Sequence, residues 1–251
     1  MNYKLRTKHG LTLTEMVVVV SIIAVFTVLG LPAIRAFIRS VESEGGAKAM
    51  ISAALSSGRA IAARQQHYAG VRFQNRYQED NKGCQYMIFI VQDPQLRAYG
   101  FRAVEGYEPI KLPDSVGVMD LKLGSTDPDQ IVDGDSKIND DWEVADTTTF
   151  SIVFSPSGKL VTHDVRTINR DGKATATTSK DDIFNVKSNV ENGIGMFVQD
   201  DDPNKEPSRN SFIIYDKTVF EKLNPNSRYN DYLKDLEVIY INPYTGTMIE
   251  K

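Results

Sequence analysis

The chain has 251 residues, 41% of them hydrophobic and 25% charged, with a formal net charge of -4. That length and composition describe a globular chain with room for one ordinary domain and an additional long element, and they exclude disorder. The acidic balance argues against a polyanion ligand recognised by bulk charge. The single cysteine, Cys84, rules out an intrachain disulfide, a cysteine zinc cluster and an iron–sulfur site within the chain.

In chain order, residues 1–10 read as a basic leader carrying Lys4, Arg6 and Lys8 and no acid. An apolar run follows at 11–31, with no charge from Met16 to Leu31 and one carboxylate, Glu15, near its start. About 20 residues of helix cross the hydrocarbon layer of a bilayer, so the run is long enough to anchor the chain. The positive leader predicts that it stays cytoplasmic and the C-terminal bulk is translocated. A carboxylate in hydrocarbon is costly unless it is neutral, snorkelled or paired, so Glu15 predicts either a headgroup position or a cation supplied by a packed neighbour. Pro32 removes a helical hydrogen bond, and Gly30 loosens the same place, so a kink is expected there.

Residues 33–67 keep helical spacing through Ile34, Phe37, Ile38 and Val41, then Ile51, Ala54, Leu55, Ile61 and Ala62. A polar, glycine-softened break at 42–48 separates the two halves. Small residues crowd the second half and permit close approach of a sheet. Arg59 and Arg64 read as solvated flank residues, or as a basic patch for nucleic acid.

From residue 68 to 251 the pattern predicts a β-rich head. Expected strands are 71–73, 85–91, 96–101, 116–121, 147–154, 159–163, 194–198, 211–215, 237–241 and 247–249, with a short helix near 229–235. Polar insertions are expected near 122–146 and 166–209, with 166–182 as a mobile tip. Asp127, Asp129, Asp133 and Asp135 place many oxygens at short spacing. Calcium takes six to eight such ligands, but the spacing fits no twelve-residue calcium loop, so the reading is a solvated acidic loop with calcium as the alternative. Asp200, Asp201 and Asp202 read the same way. No glycine-rich phosphate loop, nucleophile elbow or metal-ligand spacing marks a catalytic centre, so the expectation is no enzyme and no cofactor. Cys84 reads as a half-buried strand residue.

Gly10-Leu11-Thr12-Leu13-Thr14-Glu15-Met16, with these flanks, resembles the cleavage and methylation motif of type IV pilins and type II secretion pseudopilins. The resemblance implies cutting by a prepilin peptidase between Gly10 and Leu11, an assembly role for Glu15 against a neighbouring subunit's amine, and a helix kink at Pro32. Leu11 departs from the usual phenylalanine. Phe154-Ser155-Pro156-Ser157-Gly158, the turn Tyr244-Thr245-Gly246 and the helix around Arg59 resemble the minor pseudopilin H and FimT-like group. The fold implied is α+β, a long N-terminal hydrophobic helix packed as a pilin-like stalk on a mostly antiparallel β head of two sheets. The function implied is a minor subunit of a type II secretion pseudopilus or type IV pilus-like filament. It would be anchored in the bacterial inner membrane with its head in the periplasm. Its partners would be the peptidase, other pilins or pseudopilins and an inner-membrane assembly platform. The alternatives are a DNA-binding minor pilin, against which the mixed charge of the C-terminal end argues, and a membrane-anchored enzyme carrying a chance motif.

Overall fold

The computed structural model describes residues 13–23, 44–78, 83–96, 99–120, 138, 141–173, 175–201 and 205–249. The chain divides into two compact units, Met1–Val41 and Glu42–Lys251. In the first, residues 13–23 are helical (α1) and expose their side chains. The sheets and the remaining helices belong to the second.

That unit begins with α2 (Glu44–Gln65). Ala47, Ile51, Ala54, Leu55, Ile61 and Ala62 recur three, four and more residues apart, which puts them on one stripe of the helix, and all are buried. The stripe packs on β1 (Ala69–Asn75), β2 (Gln85–Gln92) and β6 (Phe150–Phe154), the middle of an eight-stranded sheet. Gly58 allows the approach: a Cβ there would lie 3.2 Å from Val71 and 3.3 Å from the Gly70 carbonyl carbon. The same core cluster takes in Val116, Val118, Phe212, Ile214, Ile239 and Ile241 from a four-stranded sheet. That sheet contains β5 (Val116–Met119), β12 (Ser211–Asp216), β13 (Ile239–Ile241) and β14 (Met248–Ile249).

The large sheet is buried on both faces, which the unbroken apolar run of β2, Met87 to Val91, already requires. Its other strands are β3 (Gly100–Ala103), β4 (Ile110–Lys111), β7 (Leu160–Val161), β8 (Asp164–Thr167) and β11 (Glu206–Pro207). Ile88, Ile90, Phe101, Val153 and Val165 face away from α2. They are covered by Ile183, Phe184 and Phe197 from a small parallel pair, β9 (Phe184–Asn185) and β10 (Phe197–Val198), which flanks α4 (Lys187–Glu191). The outer face of the four-stranded sheet, Met119, Ile213 and Tyr215, is covered by Phe220 of α5 (Lys217–Lys222) and by Leu233, just beyond α6 (Arg228–Asp231). Gln85 joins the sheets: its amide oxygen accepts from the Val118 N–H at 2.7 Å. Its amide nitrogen donates to the carbonyls of Val118 at 2.7 Å and Thr148 at 2.8 Å.

The fold is therefore α+β, but several expectations are corrected. Among the described residues no helix is long and apolar enough to cross a membrane, so the pilin-like stalk is not supported. The described helical part of the apolar run is 13–23, about half of what a span requires. The longer α2, with 22 residues, carries Glu44, Lys48, Arg59 and Arg64. The large sheet is mixed, because β3 and β8 run parallel, and the described residues form three sheets rather than two.

Local chemistry explains the shifted elements. Pro94–Leu96 forms a 3-10 turn capped by the Asp93 carboxylate, so the strand expected at 96 begins at Gly100. Residues 147 and 148 close a helix, α3 (Asp141–Thr148), in place of opening a strand. Their hydroxyls donate back to the carbonyls of Glu143 at 2.8 Å and Val144 at 2.6 Å, the bond threonine makes four residues back in a helix. The expected tip at 166–182 instead opens with strand residues, and Thr167, Asn169, Ser179 and Asp181 are buried.

Gly70 sits where β1 meets β6. A Cβ there would lie 1.9 Å from the Ile152 carbonyl oxygen. Gly70→Ala is expected to destabilise the protein by about 3 kcal/mol, the upper end for overpacking a tight core. Urea unfolding of the pair checks this, and a cost below about 1 kcal/mol would contradict the close approach.

Candidate functional site

The sequence-predicted site residues separate into two groups. Gly10, Leu11, Gly30, Pro32, Asp127, Asp129, Asp133 and Asp135 lie outside the described residues. Glu15 lies on α1, exposed. Among the described residues no three or more His, Cys, Asp or Glu side chains are grouped to hold a metal ion.

The structure does bring together three features that the sequence offered separately. The Arg59 guanidinium, on α2, donates from Nε to the Gly158 carbonyl at 2.7 Å. It also donates from Nη1 to Thr245 at 2.8 Å and from Nη2 to Tyr244 at 3.1 Å. One planar fork thus ties the helix to the hairpin between β6 and β7 and to the turn between β13 and β14. Both turns reach their conformation through glycines at positive φ, Gly158 at 76° and Gly246 at 71°. Asn242 shapes the second by accepting from the Tyr244 and Thr245 N–H groups. Arg59 is a clamp, not a solvated flank residue.

The second assembly was not foreseen. Arg72, in the centre of β1, is 1% exposed. Its Nη2 meets Asp200 Oδ1 at 2.6 Å, and Nε donates to the Gln74 amide oxygen at 2.8 Å. Asp200 also accepts from the Thr167 backbone N–H at 2.6 Å and hydroxyl at 2.9 Å. Asp200 is therefore no loose acid in a solvated loop. It is the counter-charge of a guanidinium shut inside the sheet. Gln74 continues the link by donating to the Val198 carbonyl at 2.8 Å. Beside this pair a second one forms between Arg209 and Asp120, with side chains 9% and 3% exposed. The nearby Glu206 carboxyl is pushed up to about 7 by burial, against the opposing pull of the Arg72 charge.

A third cluster surrounds Cys84. Its thiol donates to Asp114 Oδ1 at 3.2 Å, and Lys111 Nζ lies 2.7 Å from the same oxygen. Hydrogen bonding to Asp114 raises the Lys111 ammonium, and the same bond lowers the Asp114 carboxyl. Lys217 nearby is lowered by burial. Elsewhere a cavity of about 220 Å³ is lined by Lys48 of α2, by Ser115, Ile214 and Asp216 around β5 and β12, and by Tyr232 and Glu237. In the loop after β8, Asp181 accepts from the Arg170 N–H at 2.7 Å and the Ile183 N–H at 3.0 Å. Burial raises its carboxyl despite these bonds.

No protein family, no curated protein and no solved structure matches the chain. The resemblance to pilins and pseudopilins raised by residues 10–16 and 154–158 is therefore not supported. The filament-subunit and secretion roles and the inner-membrane location, which were drawn from it and from a spanning helix, are withdrawn with it. The hairpin glycine and the C-terminal turn have a local explanation instead, as the two seats of the Arg59 guanidinium.

Two substitutions measure these assemblies. Arg59→Ala removes three hydrogen bonds from a charged donor and is expected to cost about 2 kcal/mol in urea unfolding. Arg59→Lys should not restore the loss, because an ammonium cannot span three carbonyls as a planar fork does. Full rescue by lysine would show that charge alone matters. Arg72→Met leaves Asp200 without its cation and is expected to cost about 3 kcal/mol, with part recovered in Arg72→Met/Asp200→Asn. A double variant no more stable than the single one would contradict the pairing.

Proposed function

We propose that the chain is a non-catalytic interaction protein that engages protein partners through α1. The observation that carries this reading is α1. Leu13, Met16, Val17, Val18, Val20, Ile22 and Ile23 are 50% to 81% exposed, and Val19 is 46% exposed. A helix apolar all round is stable only when something covers it. The arginines of the second unit support the same reading, since Arg59, Arg72 and Arg209 are each engaged in tying one element to another.

One measurement tests it. Sedimentation of the full chain is expected to show larger species that Val18→Asp/Ile22→Asp removes, with the unfolding midpoint of the second unit unchanged. Unaltered association in the double variant sinks the role of α1.

A further inference from the structure

Strands β12 and β13 part before the pairing between them is complete. Ser211 lies opposite Tyr240 and Phe212 opposite Ile239, and there the ladder stops. Continued in the same register, it would set Ile214 opposite Glu237. The chain instead reaches β13 through the 3-10 turn Leu233–Asp235. The N–H groups of Asp235 and Leu236 bond back to the carbonyls of Tyr232 and Leu233, which keeps this stretch out of the ladder.

The consequence falls on Ile214. In an antiparallel ladder, alternate residues turn their N–H and C=O groups to opposite sides. The Lys217 N–H bonds the Ser115 carbonyl, so Ile213, Tyr215 and Lys217 are the residues that face β5. The Ile241 N–H bonds the Asn210 carbonyl, and the Asp216 N–H donates to the Tyr232 hydroxyl at 2.9 Å, so the even-numbered residues face the side of β13. Val118, opposite Ile214 on β5, has its own N–H and carbonyl engaged by Gln85. Among the described residues, the Ile214 N–H and carbonyl meet no hydrogen-bond partner. Ile214 is only 6% exposed, and a buried donor and acceptor are costly to leave unmade. Both groups open on the cavity of about 220 Å³, whose wall includes Leu236 and Glu237.

We propose that this gap is a peptide-binding site, in which one residue of an extended partner segment pairs with Ile214 and extends the broken ladder. The N–H and carbonyl of one strand residue are matched by the carbonyl and N–H of another. The volume exceeds the roughly 150 Å³ that encloses a benzene ring and falls short of the roughly 300 Å³ at which drug-sized pockets begin. It therefore takes one residue of chain with its side chain, not a cofactor. Paired residues place their side chains on the same face, and on that face Val116, Ile214 and Ile239 line the cavity, so a small apolar side chain fits. The Asp216 carboxylate is occupied in capping α5, and the other charges of the lining, Lys48 and Glu237, are opposite in sign, which favours an uncharged segment over an ion. The site is independent of α1.

Hydrogen exchange of the full chain, followed amide by amide, tests this with acetyl-alanyl-valyl-alanine amide as the probe. In the free chain the Ile214 amide is expected to exchange faster than those of Phe212 and Tyr215. At about 10 mM peptide it should slow by about tenfold, the factor expected of a roughly millimolar site. The same peptide methylated on the valine nitrogen cannot pair and should leave the rate unchanged. An Ile214 amide as protected as its neighbours in the free chain overturns the proposal, because the gap is then closed. No slowing by the peptide, or equal slowing by the methylated one, overturns it too. Val18→Asp/Ile22→Asp should respond as the wild type does, so the gap and the role of α1 stand or fall separately.

Discussion

A guanidinium closed inside a sheet governs much of this architecture. Arg72 sits on the central strand with its neighbours Val71 and Phe73 turned toward α2, so its own side chain must go to the opposite face. An unpaired charge there would be prohibitive. The chain answers from far along its length, bringing Asp200 across to meet it and Val198 to receive Gln74. The segment that follows β8 is thus required to fold back over the sheet. Its apolar residues Ile183, Phe184 and Phe197 then cover the rest of that face.

The opposite face follows a different logic. There α2 supplies an apolar stripe between two sheets, and nearly every contact is non-directional. Such packing fixes depth but leaves the helix free to slide or turn. Arg59 and Gln85 add the direction that hydrophobic contact lacks, one by gripping two turns and the other by bridging two sheets.

This contrast also explains what was legible in the sequence. The run of β2, the stripe of α2, the hairpin glycine at 158 and the turn at 243–246 are local patterns, and each lies where the spacing puts it. A strand that alternates Val71 and Phe73 with Arg72 and Gln74 reads as one face in water, because nothing nearby announces Asp200. Ion pairs across such distances have no periodicity. Asp200 among three consecutive aspartates reads as solvated for the same reason. The strand expected at 147–154 begins only at Phe150, because threonines favour strands, yet their hydroxyls can also end a helix. The N-terminal motif misled differently. A short motif implied a whole family's architecture, and no family, curated protein or solved structure that matches the chain supports it.

The Arg59 fork joins the first element of the second unit to its last turn, Tyr244-Thr245. Synthesis therefore delivers the guanidinium long before its acceptors. While the chain is still being made, α2 has neither its final grip nor the β12 and β13 residues that complete its enclosure. Ile51, Leu55 and Ile61 remain sticky throughout that interval. Native order in this unit depends on pairings distant in sequence, which are slow to close. Loss of only the final turn would leave the nascent helix in the state from which aggregation starts.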